Sequence, residues 1–270
     1  QELNLDIQLD HQEPRSDFGN IEPNPTKYDQ LKTGSTNVYF SAANDPDGDR
    51  HAVLDNIGSV VSPEEITVVI AHYLTKKGIS IHTISSTLAS SHLVKAYCKT
   101  QSINYQETAV GFKYFSPFLE SAFKNNQLCL AVESSGGFST STHTFEKCGF
   151  LPIVALAAIC EHEQKSCTDL KKEIYEFCPK LKFVETAFKF NPSNKQAIST
   201  FLSSATLDTL QSKLNIKVNT INQTDGLKIE TPDGWVLCRL SGTEPIARLY
   251  AETHSTQSAT LLLNSIKKLF

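Results

Sequence analysis

The sequence predicts a mixed α/β protein: mostly parallel sheets wound by helices, followed by a small α+β domain. Three observations carry this. Between residues 61 and 179, short apolar runs alternate with stretches of helical spacing, the grammar of a parallel sheet covered by helices. After Cys178-Pro179 the order changes to strand, long helix, hairpin, strand and helix. The 270 residues, 40% hydrophobic and 20% charged, suit about two globular domains or three small ones.

Each element has a local reason. Residues 1–36 are polar and rich in turn formers (Glu22-Pro23-Asn24-Pro25); proline fixes φ and restrains its neighbour, so this segment reads as an extended connection. Residues 38–43 and 52–54 read as strands around an acidic turn. Ser62-Pro63-Glu64-Glu65 is a capping box with proline at the first helical position, and it opens a helix over 66–77 that Gly78 ends. Residues 79–84 alternate as a strand. A helix over 88–99, a strand over 103–108, a helix over 114–125 and a strand over 128–132 follow, then helices over 151–163 and 168–177. In the last part, 182–190 reads as a strand and 195–214 as one helix. Strands 227–230 and 235–238 flank the hairpin turn Thr231-Pro232-Asp233-Gly234. Residues 246–252 form a further strand, and Ser255 caps a helix carrying Leu261, Leu262, Ile266 and Leu269.

Composition excludes several classes. The net charge of −4, without a long basic run, argues against nucleic acid or an anionic membrane as partner. No apolar segment is long enough to span a bilayer, and no signal peptide is recognisable. The seven scattered Cys lack CxxC pairs and read as reduced thiols of a cytoplasmic protein. No Met occurs, where a chain of this size normally holds roughly five. Either the chain is an internal fragment or modified methionines are missing from the sequence.

Four loops carry chemistry. The first is Asp45-Pro46-Asp47-Gly48-Asp49-Arg50, where Asp45, Asp47 and Asp49 alternate in a compact turn and offer hard oxygen ligands. A calcium loop of the EF-hand kind needs a later Glu and flanking helices, and His51-Ala52-Val53-Leu54 is strand-like, so the pattern favours magnesium. The second is Val110-Gly111-Phe112-Lys113-Tyr114, which places Lys113 at a helix start to bind phosphate or hydroxyl oxygen, or to shuttle a proton. The third is Glu133-Ser134-Ser135-Gly136-Gly137, where Glu133 and Ser135 can face the same way and grip vicinal hydroxyls beside glycines that leave room for a ligand. The fourth is Arg239-Leu240-Ser241-Gly242-Thr243-Glu244-Pro245, a forked donor with hydroxyls around a glycine turn, followed by Arg248. Together they call for a phosphorylated sugar and phosphoryl transfer, where positioning and charge neutralisation do most of the catalysis.

In this order the loops resemble those of the α-D-phosphohexomutases, the phosphoglucomutase and phosphomannomutase family. They look like its magnesium loop, its Gly-Phe-Lys loop, its sugar-specificity loop and its phosphate-binding loop. His143-Thr144-Phe145-Glu146-Lys147 is similar to a stretch that follows the sugar loop in phosphoglucomutases. The family has four domains, and the first carries a phosphoserine in a Thr-Ala-Ser-His-Asn-Pro-type loop. No such loop occurs here: Ala89-Ser90-Ser91-His92 lacks the Asn-Pro and reads as structural. Ser134 stands where many members have a second acid, and Cys148 departs from the usual Lys-Asp-Gly.

The resemblance therefore implies the C-terminal part of such an enzyme. Residues 1–60 would be the end of the second domain with the metal loop, 61–179 the third with the sugar loop, and 180–270 the fourth with the phosphate loop. The missing phosphoserine domain of the same protein would be its partner. The implied reaction interconverts glucose 1-phosphate and glucose 6-phosphate through glucose 1,6-bisphosphate, with Mg2+ held by Asp45, Asp47 and Asp49. Arg50 and Lys113 would be catalytic. Glu133, Ser135, Gly137, His143, Lys147, Arg239, Ser241, Gly242, Thr243 and Arg248 would hold the hexose phosphate. This chain alone would be inactive. A phosphomannomutase or dual-specificity enzyme, and a non-catalytic sugar-phosphate-binding remnant, are the alternatives.

Overall fold

The computed structural model describes residues 6–9, 13, 16, 31, 38–242 and 244–269. The extended reading of 1–36 therefore falls almost wholly outside the described residues. The chain forms two compact units, 1–179 and 180–270.

The first unit holds two sheets. An antiparallel one joins β1 (Phe40–Asn44), β2 (His51–Asp55) and β3 (Val60–Val61). The acidic turn is the β1–β2 connection, so the hairpin fixes where its carboxylates stand. α1 (Pro63–Lys76) follows, with the full capping box between Ser62 and Glu65. Gly78, at φ +76, takes the left-handed conformation that ends the helix.

The second sheet has the order β5-β4-β6-β7. Its strands are β4 (Thr83–Thr87), β5 (Asn104–Thr108), β6 (Cys129–Val132) and β7 (Phe138–Thr140). Parallel pairing is confined to β4 with β5 and β6; β7 returns antiparallel. α2 (Leu93–Gln101), α3 (Ser116–Lys124), α4 (Phe150–Glu163) and α5 (Cys167–Ile174) complete the unit. Val53, Val61, Ile66, Ile84, Leu130, Phe138 and Leu156 share one core. Within this unit the β1–β3 hairpin sheet packs on the helices: Lys171 of α5 donates to Asp55 Oδ2 and to the Val60 carbonyl.

The helix expected over 88–99 is α2, which starts only at Leu93, and the strands of this sheet also differ from expectation. The strand expected over 79–84 lies at Thr83–Thr87 instead. It is a central strand whose polar side chains are buried but satisfied: Ser85 Oγ donates to the Gln106 carbonyl, and Ser86 pairs with the Tyr105 hydroxyl. β7 was not expected at all.

The second unit is an antiparallel sheet of order β8-β12-β11-β10-β9. Its strands are β8 (Lys182–Lys189), β9 (Thr220–Asn222), β10 (Leu227–Thr231), β11 (Gly234–Leu240) and β12 (Ile246–Thr253). The expected helix over 195–214 is two: α6 (Lys195–Ser204) and α7 (Leu207–Leu214). Ala205 is extended at ψ 135, and Thr206 caps the second helix by accepting from the Thr209 N–H. α8 (Thr256–Lys267) starts at the Ser255 cap. One face of the sheet buries Ile229, Val236, Leu249 and Ala251 with Leu202, Leu210, Leu263 and Ile266 of the helices.

Candidate functional site

In the first unit, three of the four loops come together. Arg50 and Gly137 form an isolated antiparallel bridge, and the His51 N–H donates to the Gly136 carbonyl at 3.0 Å. The acidic turn is thereby laid along the 133–137 loop. Glu133 ties in the third: its Oε1 accepts from the Gly111 N–H at 3.0 Å. The glycines are there because backbones touch. A Cβ on Gly136, at φ +103, would stand 2.4 Å from the His51 carbonyl oxygen, and one on Gly149 would stand 2.3 Å from that of Arg50.

Within the acidic turn the three carboxylates differ. Asp45 is buried. Its Oδ1 accepts from the N–H groups of Asp49 and Arg50, and its Oδ2 from Arg50 Nε at 2.6 Å. Burial pushes its carboxyl up, but these hydrogen bonds and the Arg50 charge outweigh it and hold it below its ordinary range. Asp47 is exposed. Asp49 Oδ2 lies 3.1 Å from Lys147 Nζ. Its Oδ1 is buried, accepts no hydrogen bond, and lies 3.6 Å from Arg50 Nε.

Among the described residues, no three His, Cys, Asp or Glu side chains are gathered as a metal cage. The donor chemistry nevertheless fits a hard cation. All three acids are oxygen donors on one short turn, and Asp49 keeps a buried oxygen that no donor fills. Asp45 would have to share its carboxylate with Arg50.

The remaining candidates separate. Lys113 is exposed on a 3-10 turn, Phe112–Tyr114, with Nζ 5.1 Å from the Tyr114 ring centroid; the helix expected over 114–125 begins after it. Glu133 is buried, and burial pushes its carboxyl up against the pull of the Lys147 charge and the Gly111 N–H. Ser135 is exposed. The two do not alternate along a strand, because 133–136 is a turn closed by the Gly136 N–H on the Glu133 carbonyl. Gly137 is flanked by Glu133 Oε2 and Lys147 Cδ, each 3.2 Å from where its Cβ would be. Lys147 is the member of its stretch that reaches the cluster; His143 is exposed. Ser134 donates to the Ala89 carbonyl at 3.2 Å, so its hydroxyl fastens the loop. The Ala89-Ser90-Ser91-His92 string forms a turn, with Ser90 buried against Thr87 and the Ser91 N–H on Glu64.

In the second unit, Arg239 on β11 and Arg248 on β12 are cross-strand partners. Arg239 Nη2 is 2.8 Å from Asp225 Oδ2, while its buried Nε has no acceptor. Arg248 lies 3.8 Å from Glu185, whose carboxyl is pushed up by burial against the pull of that arginine. Ser241 Oγ accepts from the Glu244 N–H at 3.2 Å, closing the loop. Gly242 is not in the left-handed region and has open space around it, so the turn at this position does not depend on glycine. Thr243 lies outside the described residues.

Sequence reasoning missed Asp225, Glu185 and Lys195, whose Nζ donates to the Gly242 carbonyl at 3.4 Å. Only Asp225 had a signal. Extending the hairpin ladder past Leu227↔Cys238 sets Gly226 opposite Arg239 and Asp225 beside it. His51 was also missed: it is buried, neither ring nitrogen has a partner, and burial lowers its pKa to about 4.

Among the described residues, no helix is long and apolar enough to cross a membrane. Residues 62–177 match the α/β/α domain III of phosphoglucomutase/phosphomannomutase, and residues 196–269 match its C-terminal domain. The chain is 26% identical over 264 residues to a phosphoglucosamine/phosphogalactosamine mutase of Sulfurisphaera tokodaii, covering 93% of this chain and 53% of that protein. It is 30% identical over 173 residues to Phosphoglucomutase 1 of Drosophila melanogaster, covering 60% of this chain and 30% of that one. The fold is that of parafusin, a phosphoglucomutase of Paramecium, at TM-score 0.72, 20% identity, 95% of this chain and 50% of that chain. It is also that of an Aspergillus fumigatus N-acetylphosphoglucosamine mutase solved with GlcNAc-6P and magnesium, at TM-score 0.64, 16% identity, 93% of this chain and 58% of that chain. The chain spans about half the length of most of these proteins. On two matched domains and these relatives, it belongs to the phosphoglucomutase/phosphomannomutase family.

Proposed function

We propose that this chain is the sugar- and phosphate-holding part of a phosphohexomutase that interconverts glucose 1-phosphate and glucose 6-phosphate through the 1,6-bisphosphate. The observation that carries this is the joining of loops 45–50, 110–113 and 133–137 by the Arg50–Gly137 bridge and the Glu133–Gly111 hydrogen bond. Motifs far apart in sequence thus adjoin within one unit.

Glu133, with one carboxylate oxygen on Gly111 and the other beside Gly137, accepts from sugar hydroxyls. Ser135 and His143, both exposed, add polar contacts, and Lys113 reaches a phosphate or exchanges a proton with a hydroxyl. In the second unit Arg239 and Arg248, with Ser241, Gly242 and Thr243, anchor the phosphate that does not react. Asp45, Asp47 and Asp49 would hold magnesium, with Arg50 beside them. When bound, magnesium supplies charge neutralisation beside the phosphoryl group being transferred. Magnesium and glucose 1,6-bisphosphate occur in complexes of similarly folded Aspergillus mutases, which favours both here. The phosphoryl donor in this reading is a phosphoserine, and no string of its type occurs among these 270 residues. The chain alone should therefore give no turnover in a coupled assay.

Calorimetry with glucose 6-phosphate, mannose 6-phosphate and glucose tests the binding half. The two phosphate esters should bind, glucose 6-phosphate more tightly, and free glucose should bind poorly. Tighter mannose 6-phosphate binding would replace the sugar assignment, and no ester binding would remove the reading.

A further inference from the structure

Two cations of the chain itself occupy the acidic turn, and they are held differently. Arg50 is adjacent in sequence, and its contact with Asp45 is backed by the Asp49 and Arg50 N–H groups on the same carboxylate. Lys147 comes from a distant segment and reaches Asp49 through a single Nζ–Oδ2 contact of 3.1 Å. A second carboxylate stands within reach of the same side chain: Gly137 separates the Lys147 stem from Glu133 Oε2, and a Cβ there would touch both at 3.2 Å. The other Asp49 oxygen is buried without a hydrogen bond. Lysine is a point charge on a rotatable stem and can change partners without the geometric penalty a forked arginine contact would suffer.

We propose that Lys147 is the exchangeable counter-ion of the acidic turn, holding Asp49 while no divalent cation is bound and released toward Glu133 and the sugar phosphate when magnesium takes that carboxylate. This rests on the reading that the turn binds magnesium. It adds a coupling: metal occupancy decides where the lysine charge stands, so the ligand's anionic group meets Lys147 only after the metal has entered. A divalent cation and Lys147 compete for one oxygen pair, and the competition works in both directions.

The test titrates the 270-residue chain and its Lys147→Met variant with magnesium chloride by calorimetry. In parallel, acetylation of lysines in the unsubstituted chain is followed by mass spectrometry across the same titration. Removing the competing ion pair should tighten magnesium binding on the order of two- to fivefold. Acetylation at Lys147 should rise along the binding curve, while Lys124, paired with Glu120 on an exposed helix face, stays constant. Magnesium binding by the variant but not by the unsubstituted chain would also support exchange. Equal or weaker binding by the variant overturns the proposal, as does flat labelling at Lys147 while magnesium saturates the chain. If neither protein binds magnesium, the metal assignment itself fails and the proposal falls with it. Should the variant not fold, the labelling of the unsubstituted chain decides.

Discussion

Arg239 and Arg248 face each other directly across neighbouring antiparallel strands, on the same side of the sheet. Like charges in that position repel. Each is balanced by its own acid: Asp225 at 2.8 Å from Arg239 and Glu185 at 3.8 Å from Arg248. The buried, unpartnered Nε of Arg239 leaves a donor in hand. In the proposed function, a phosphate would take the place of those acids beside the pair.

This arrangement predicts opposite effects from two substitutions on phosphate-ester binding. Arg239→Ala should weaken glucose 6-phosphate binding at least about tenfold, given on the order of 1.5–3 kcal/mol for a charged hydrogen bond. Asp225→Asn removes the competing carboxylate and should tighten it. Calorimetry checks both; an unchanged affinity in Arg239→Ala would mark the loop as an ordinary turn.

Two glycines should respond unequally to alanine. At Gly149 the added methyl meets the Arg50 carbonyl oxygen at 2.3 Å and Asn44 Nδ2 at 2.5 Å. Relief requires moving the acidic turn, so Gly149→Ala should destabilise the first unit by about 1–3 kcal/mol. Gly242→Ala meets no atom within 4 Å and should change stability by less than about 0.5 kcal/mol. Urea unfolding, followed separately for the two units, reads this out.

His51 should make the first unit acid-sensitive. Its folded pKa is about 4, below the ordinary 6.5, because burial disfavours the charged ring. Between those values the unfolded chain binds the extra proton, so stability rises with pH and is lost as pH falls from about 6.5 toward 4. The loss is on the order of 3 kcal/mol at most. His51→Leu should flatten this part of the pH profile in unfolding curves at pH 7 and pH 5. A profile identical to that of the unsubstituted chain would show that the ring does not titrate this way.

The cysteines should react in a fixed order. Six are buried, and burial pushes the thiols of Cys98, Cys160 and Cys238 up to about 12, where little reactive thiolate forms. Cys148 is the partly exposed one. Iodoacetamide on the native chain should modify Cys148 first by mass spectrometry, with the others following only on unfolding.

What the sequence determined by itself is local. Ser62 and Glu65 cap α1 because both partners lie within one turn of chain, and Asp233-Gly234 closes its hairpin for the same reason. The residue types of the loops, and their order, were enough to suggest a hard-cation turn, a hydroxyl grip and an anion cradle, and to carry the family resemblance. Tertiary structure decided what those residues touch. Lys147 meets Asp49, Gly111 meets Glu133 and Asp225 meets Arg239 only because strands pair and loops pack, and such pairings leave no periodic trace in the chain. It also placed β4 over polar residues, since a strand flanked on both sides takes its stability from ladder hydrogen bonds and satisfied hydroxyls rather than from alternation. It broke the long helix at Ala205, where Thr206 offers a cap. Burial, finally, is a property of the assembled fold: nothing around His51 in sequence marks it as the ring that loses its water and its partners.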